Sequence, residues 1–196
     1  CSATLALRRF HQIIVSNGAK HSIYNVLMVI LNRSDEVLIP LPYWVSYTEM
    51  VNLCEAIPRF IKTTAANNFK ISVKDLAKHI TPKTKALILN SPSNPTGSVY
   101  NKEELTGIAK ICVDKNIFVI SDEIYEKIIF DGLKHESIAS FNKDIYNLTI
   151  TVNGLSKSHS MTGWRIGYLG APSDIACAIS NLQDHSTSNP NSIAQK

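Results

Sequence analysis

Gly154-Leu155-Ser156-Lys157-Ser158-His159-Ser160-Met161-Thr162-Gly163-Trp164-Arg165-Ile166-Gly167 is the stretch on which the reading of this chain turns. It sets one lysine in a run of small and hydroxyl side chains, with an arginine eight residues later. Two readings compete for Lys157. It is a solvated loop lysine, or it is an amine held where an aldehyde can reach it and condense to an imine. The stretch directly follows Leu148 to Val152, a continuous apolar run that reads as a buried strand. The lysine therefore sits just past a strand's carboxyl end, where open α/β sheets bind ligands.

The same alternation extends outward in both directions. Strands are expected at Gln12 to Val15, Glu36 to Ile39, Ala56 to Lys62, Lys85 to Leu89, Ile117 to Ile120 and Trp164 to Leu169. Helices are expected at Lys20 to Asn32, Tyr43 to Asn52, Ser72 to about Ile80, Asn101 to Lys115 and Ser173 to about Asn181. Short apolar strands alternating with amphipathic helices predict an α/β fold with a mainly parallel sheet between helices.

Composition narrows the class. The chain has 196 residues, 44% apolar and 18% charged, as an ordinary globular domain does. The +4 net charge is scattered, not clustered, which argues against nucleic acid. No apolar run reaches membrane-spanning length. Cys1, Cys54, Cys112 and Cys177 lie far apart without CxxC spacing, so neither a metal site nor a disulfide framework is expected, and a reducing cytoplasm fits. The histidines show no ligand spacing and read as surface residues. The chain opens on Cys1 and stops at Ala194-Gln195-Lys196, within an expected helix. Both ends read as cuts in a longer protein.

Other candidates also fall on strand-to-helix loops. Gly18-Ala19-Lys20 follows a strand and opens a helix, so free amide N–H groups and the helix dipole make a cradle for phosphate. Asp122 ends the strand in Ile120-Ser121-Asp122-Glu123-Ile124-Tyr125. Its bland reading is a cap on the following turn, and that of Tyr125 a half-buried core tyrosine. Asn94, in Ser91-Pro92-Ser93-Asn94-Pro95-Thr96-Gly97, marks a turn in any case. Trp44 and Trp164 read first as core tryptophans.

The lysine stretch, the Asn94 loop, Ser16-Asn17-Gly18-Ala19-Lys20 and Pro42-Tyr43-Trp44-Val45-Ser46-Tyr47 together resemble the class I pyridoxal-phosphate-dependent aminotransferases. The subgroup they resemble is the bacterial-type aspartate aminotransferases, some of which also use prephenate. The resemblance covers about residues 12 to 196 and leaves residues 1 to 11 unaligned. It implies the large domain of a fold-type I enzyme over residues 1–196, with the small domain and both ends of the full-length enzyme missing. It implies pyridoxal 5'-phosphate as cofactor, amino acid and 2-oxo acid as substrates, and a homodimer. Lys157 is then the Schiff-base lysine and proton carrier, and Asp122 the partner of the pyridine nitrogen. Asn94 and Tyr125 donate to the phenolic oxygen, Trp44 stacks on the ring, and Arg165 binds the phosphate with the Gly18-Ala19-Lys20 turn. Trp44 and Asn94 also face substrate. Thr187-Ser188-Asn189-Pro190 matches a segment that approaches the neighbouring subunit's site.

The resemblance implies ping-pong amino transfer between L-aspartate and 2-oxoglutarate. Alanine, aromatic or prephenate aminotransferases, C–S lyases and aminocyclopropane-carboxylate synthases share the scaffold. A transcription regulator with such a domain would need a DNA-binding helix pair, which this chain lacks. A cofactor-binding remnant without activity is the remaining rival, because the family's carboxylate-binding arginine lies in a C-terminal region not present here. Departures from the family pattern are Gly154, where some members carry a phosphate-binding serine, and His21 and Asp184-His185, which replace the usual amides. Both Asn94-Pro95 and Leu41-Pro42 are expected to be cis.

Overall fold

A computed structural model describes residues 8–196; the expectations for Cys1 and the residues before Arg8 lie outside the described residues. The strands are β1 (Ile13–Ser16), β2 (Glu36–Pro40), β3 (Ile57–Ile61), β4 (Thr84–Asn90), β5 (Phe118–Asp122), β6 (Thr149–Gly154) and β7 (Gly167–Gly170). They form one sheet in the order β1-β7-β6-β5-β4-β2-β3. β2 through β6 pair in parallel, and β7 runs antiparallel to both β6 and β1. The helices are α1 (Ala19–Ile30), α2 (Ser46–Leu53), α3 (Val73–His79), α4 (Lys102–Lys115), α5 (Lys143–Leu148), α6 (Leu155–Ser158) and α7 (Ser173–Asp184). None is long and apolar enough to cross a membrane among the described residues.

Strand alternation divides the core in two. Val37, Ile39, Ile88, Ile120, Ile150 and Val152 face α1, α2 and α7, while Leu38, Leu87, Leu89 and Val119 face α3, α4 and α5. On α1, Ile23, Val26, Leu27 and Ile30 recur at helical spacing and are buried, which fixes the face it turns to the sheet. A capping box starts α4: Asn101 accepts from the Glu104 amide, and Glu104 accepts from the Asn101 amide. Asn116 closes the same helix in the left-handed conformation.

The two-sided, mainly parallel sheet is the expected one, and both expected cis prolines are present. Ser91-Pro92 is a third cis bond. Several local expectations are corrected. The last strand begins at Gly167, not Trp164, and Arg165 takes a left-handed φ of 53° just before it. The second helix starts at Ser46, not Tyr43, with Val45 as its N-cap. Residues 192–195 form turns instead of a continuing helix. Trp164 is 50% exposed and outside the core. Arg8 is buried, its guanidinium bonding the Tyr146 and Thr149 carbonyl oxygens at 2.7 Å each and stacking 3.6 Å over the Tyr146 ring.

Strand direction decides where the loops collect. Because β7 is antiparallel to its neighbours, its amino end lies beside the carboxyl ends of β1 and β6. Gly167 pairs with both Ser16 and Gly154. A Cβ on Gly167 would fall 2.3 Å from Gly18 C and 2.4 Å from Ala19 N. The turn that starts α1 therefore rests directly on the backbone of β7.

That contact makes Gly167 intolerant. Gly167→Ala should lower unfolding stability by about 1–3 kcal/mol, since rigid backbone opposes the new methyl. Gly163→Ala, where nothing lies within 4 Å, is the control and should change stability by less than about 1 kcal/mol. Urea unfolding of the two variants compares them.

Candidate cofactor site at the strand ends

The carboxyl ends of β1, β4, β5 and β6 open on one cavity of about 300 Å³. Ala19, Lys20, Trp44, Asn94, Asp122, Tyr125, Lys157 and Arg165 all line it. Gly18, the remaining candidate, lies behind Arg165. A Cβ there would sit 2.3 Å from Arg165 Nη2, and the residue's φ of +91° already favours glycine. Residues scattered from 18 to 165 in sequence are thus brought together around one space.

Asp122 forms the floor. It ends β5, is 3% exposed, and forms no ion pair among the described residues. Tyr47 Oη donates to its Oδ2 at 2.5 Å, and the Ile124 amide donates to its Oδ1 at 3.2 Å. Burial raises its pKa from 3.8 to about 6, helped by the charge of Glu123 and opposed by the two hydrogen bonds. Tyr47 has no role assigned from the sequence, where it reads as an ordinary helical aromatic. Its ring also meets Trp44 edge-on at 5.4 Å, which fixes the indole as a wall of the cavity.

Lys157 enters from α6, the single turn that follows β6. Its Nζ lies 5.8 Å from the Tyr125 ring centroid. Asn94 Nδ2 reaches Tyr125 Oη at 3.5 Å, so an amide and a phenol converge at one edge. Burial raises the Tyr125 pKa, with the Asp122 charge adding to it. Asn90, also not foreseen, sets the Asn94 loop. Its Oδ1 accepts from the Asn94 amide at 2.7 Å, and its Nδ2 donates to the Asp122 carbonyl at 2.9 Å.

The opposite edge is built for an anion. Gly18 caps α1 without a side-chain cap, and the first helical bonds run from the His21 and Ser22 amides to Gly18 O. The Ala19 and Lys20 N–H groups precede those bonds and have no intrahelical acceptor. Arg165 Nη1 donates to Thr162 O at 2.8 Å, which holds the guanidinium against Gly18. A cation beside the positive end of a helix is unfavourable until an anion sits between them. Lys20 Nζ adds a further cation, 5.0 Å over the Trp44 ring. His21 lies in the first turn of α1. Its Nδ1 accepts from the Asn17 amide at 3.2 Å, which holds the turn, and burial lowers its pKa.

Ser156 and Thr162 also line the cavity without having been singled out. The histidines are not all surface groups: His135 is half-buried and bonds Glu123. Glu123, Glu126 and His135 lie close enough to be weighed as metal ligands, a grouping that sequence spacing did not show. The direct His135–Glu123 hydrogen bond accounts for the proximity of those two groups.

A seven-stranded, mainly parallel sheet with helices on both faces is the architecture of solved aspartate aminotransferases. The enzyme from Rhizobium meliloti superposes with a TM-score of 0.94 at 38% identity, covering 96% of this chain and 47% of that one. Thermus thermophilus aspartate aminotransferase with maleate gives 0.90 at 39%, and the aromatic aminotransferase from Pyrococcus horikoshii OT3 gives 0.91 at 42%. Each of these two covers 94% of this chain, with 47% and 49% of the solved chains covered in turn. The aminotransferase class I and II model matches residues 2–196, and the chain belongs to that family. The family is pyridoxal-phosphate-dependent. The chain is 54% identical over 185 residues to the aspartate aminotransferase of Bacillus sp. (strain YM-2), covering 94% of this chain and 47% of the relative. It is 45% identical over 184 residues to the probable aspartate/prephenate aminotransferase of Aquifex aeolicus (strain VF5), with the same shares covered. The chain thus spans about half the length of the curated relatives it matches.

The buried carboxylate has a measurable consequence. The folded state binds the Asp122 proton more tightly than the unfolded chain does, so this group lowers stability as pH rises from 3.8 to about 6. Above that range the deficit persists at about 3 kcal/mol. Asp122→Asn keeps an acceptor for the Ile124 amide and removes the charge. It should stabilise the cofactor-free protein by about 1–3 kcal/mol near pH 7.5 and by almost nothing near pH 4, as read by denaturant unfolding.

Proposed function

We propose that this chain is the large, cofactor-binding domain of an aspartate aminotransferase and that it binds pyridoxal 5'-phosphate in the strand-end cavity. The observation that carries this reading is the convergence of Lys157, Asp122 and Arg165 on one 300 Å³ space. The donor set fits the group: a carboxylate without a cation, an aromatic wall, an amine, and an anion cradle that a Cβ at Gly18 would fill. When bound, the cofactor supplies an electron-withdrawing ring that stabilises a carbanion beside the amino group.

The chain's own residues each have a task in this reading. Asp122 holds a proton on the ring nitrogen, and the pairing offsets its desolvation. Tyr47 keeps the carboxylate oriented. Trp44 covers the ring face. Tyr125 and Asn94 donate to the phenolic oxygen. Arg165 and the Ala19 and Lys20 amides bind the phosphate. Lys157 would hold the group through its amine and would carry the proton. With the phosphate neutralising Arg165, Lys20 stays available to an acidic substrate, which favours dicarboxylates. Transfer of an amino group from L-aspartate to 2-oxoglutarate, in a cytoplasmic homodimer with Thr187 to Pro190 near the neighbouring site, completes the proposal.

Adding pyridoxal phosphate should produce a visible band that borohydride traps. Lys157→Ala should abolish the trapping. L-Aspartate should then convert the band to the amine form, and prephenate should reverse that conversion if the range matches the Aquifex relative's name. A trapped band that aspartate leaves unchanged means a binding-only chain. No lysine-dependent band overturns the proposal.

A further inference from the structure

Asp122 and Glu123 are adjacent carboxylates on opposite faces of the sheet. Strand pleating sends Asp122 to the cavity and Glu123 to the far side. Glu123 is 1% exposed. Ser121 Oγ donates to its Oε1 at 2.9 Å, Ser137 Oγ donates to the same oxygen at 2.6 Å, and His135 Nε2 lies 2.9 Å from its Oε2. Burial alone lowers the His135 pKa, but the Glu123 bond and the Glu123, Glu126 and Glu136 charges outweigh it and raise the value.

The segment these bonds enclose has no helix or strand. From Glu123 to Ser137 the chain is turns and irregular backbone. Its internal backbone bonds are few: Glu126 N to Glu123 O, Ile128 N to Tyr125 O, and Leu133 N to Phe130 O. Phe130 and Leu133 are exposed, so little apolar packing holds it. One end is fixed by the Glu123 amide on Val152 O at 2.9 Å. The other returns to the same residue through His135 and Ser137. Tyr125 lies inside this closed loop, two residues from Glu123, and presents its phenol to Asn94 and its ring to Lys157.

We propose that Glu123, with His135 and Ser137, is a positioning group that acts through Tyr125. It ties both ends of the loop to one buried carboxylate and so fixes where the phenol stands in the cofactor site. The inference rests on the cofactor reading for its functional meaning, while the loop anchoring stands on geometry alone. A buried carboxylate needs its donors, and donors left without it become unsatisfied in turn.

Hydrogen exchange on the cofactor-free protein compares wild type, Glu123→Gln and Ser137→Ala. Both variants should raise exchange of the 124–134 amides about tenfold or more, with the Ile150 to Val152 amides unchanged. In the loaded protein, Glu123→Gln should move the pH midpoint of the visible band in the same direction as Tyr125→Phe. The double variant should then match Tyr125→Phe alone. Additive midpoint shifts, or exchange raised equally in β6, overturn the proposal. A wild-type protein without a reducible band fails the cofactor reading. The exchange comparison then decides the anchoring by itself, and unchanged 124–134 exchange in both variants overturns it.

Discussion

One constraint organises the molecule: the Asp122 carboxylate is withdrawn from water with no cation paired to it among the described residues. Removing an ionised carboxylate from solvent is expensive unless hydrogen bonds or opposite charge compensate. Here two donors compensate in part, and the pKa still rises to about 6. Much of the neighbourhood follows from keeping that group in place. Tyr47 comes from α2, the Ile124 amide from the turn after β5, and Asn90 from the end of β4 to hold the Asp122 carbonyl. A perturbed group of this kind in a cleft is the usual signature of a functional site.

The sheet supplies the geometry, and the antiparallel strand completes it. Parallel strands β2, β4, β5 and β6 all end on one side. Reversal of β7 brings Arg165 to that side as well. Contact between Gly167 and the Gly18-Ala19 backbone then seats the α1 amino end against the guanidinium. The Asp122 carboxylate, the Trp44 wall, the Lys157 amine and the anion cradle are thereby set around a space of about 300 Å³. Neither feature requires a mobile element; both follow from strand direction and the absence of a Cβ.

Much of this was legible in the residues, for identifiable reasons. Apolar runs such as Ala86 to Leu89 and Val119 to Ile120 are buried on both faces and stand out by continuity. Candidate side chains lie within or just past strand ends, so finding the strands located them. What stayed hidden depends on tertiary placement. A four-residue strand such as β7 carries no sign of its direction, and Trp164 looks like a core residue until the turn before β7 places it outside. Tyr47 and Asn90 act through partners 75 and 32 residues away, which no local pattern encodes. His135 shows no ligand spacing because its partner is Glu123, across an irregular loop.

The most direct test of this account is the ionisation of Asp122 itself, followed by carbon-13 NMR of its carboxyl group with and without pyridoxal phosphate. The account predicts a midpoint about 6 in the free protein, falling by about two units or more once a ring cation pairs with the carboxylate. A free midpoint near the ordinary 3.8, unmoved by the cofactor, would contradict both the buried-carboxylate constraint and the site built on it.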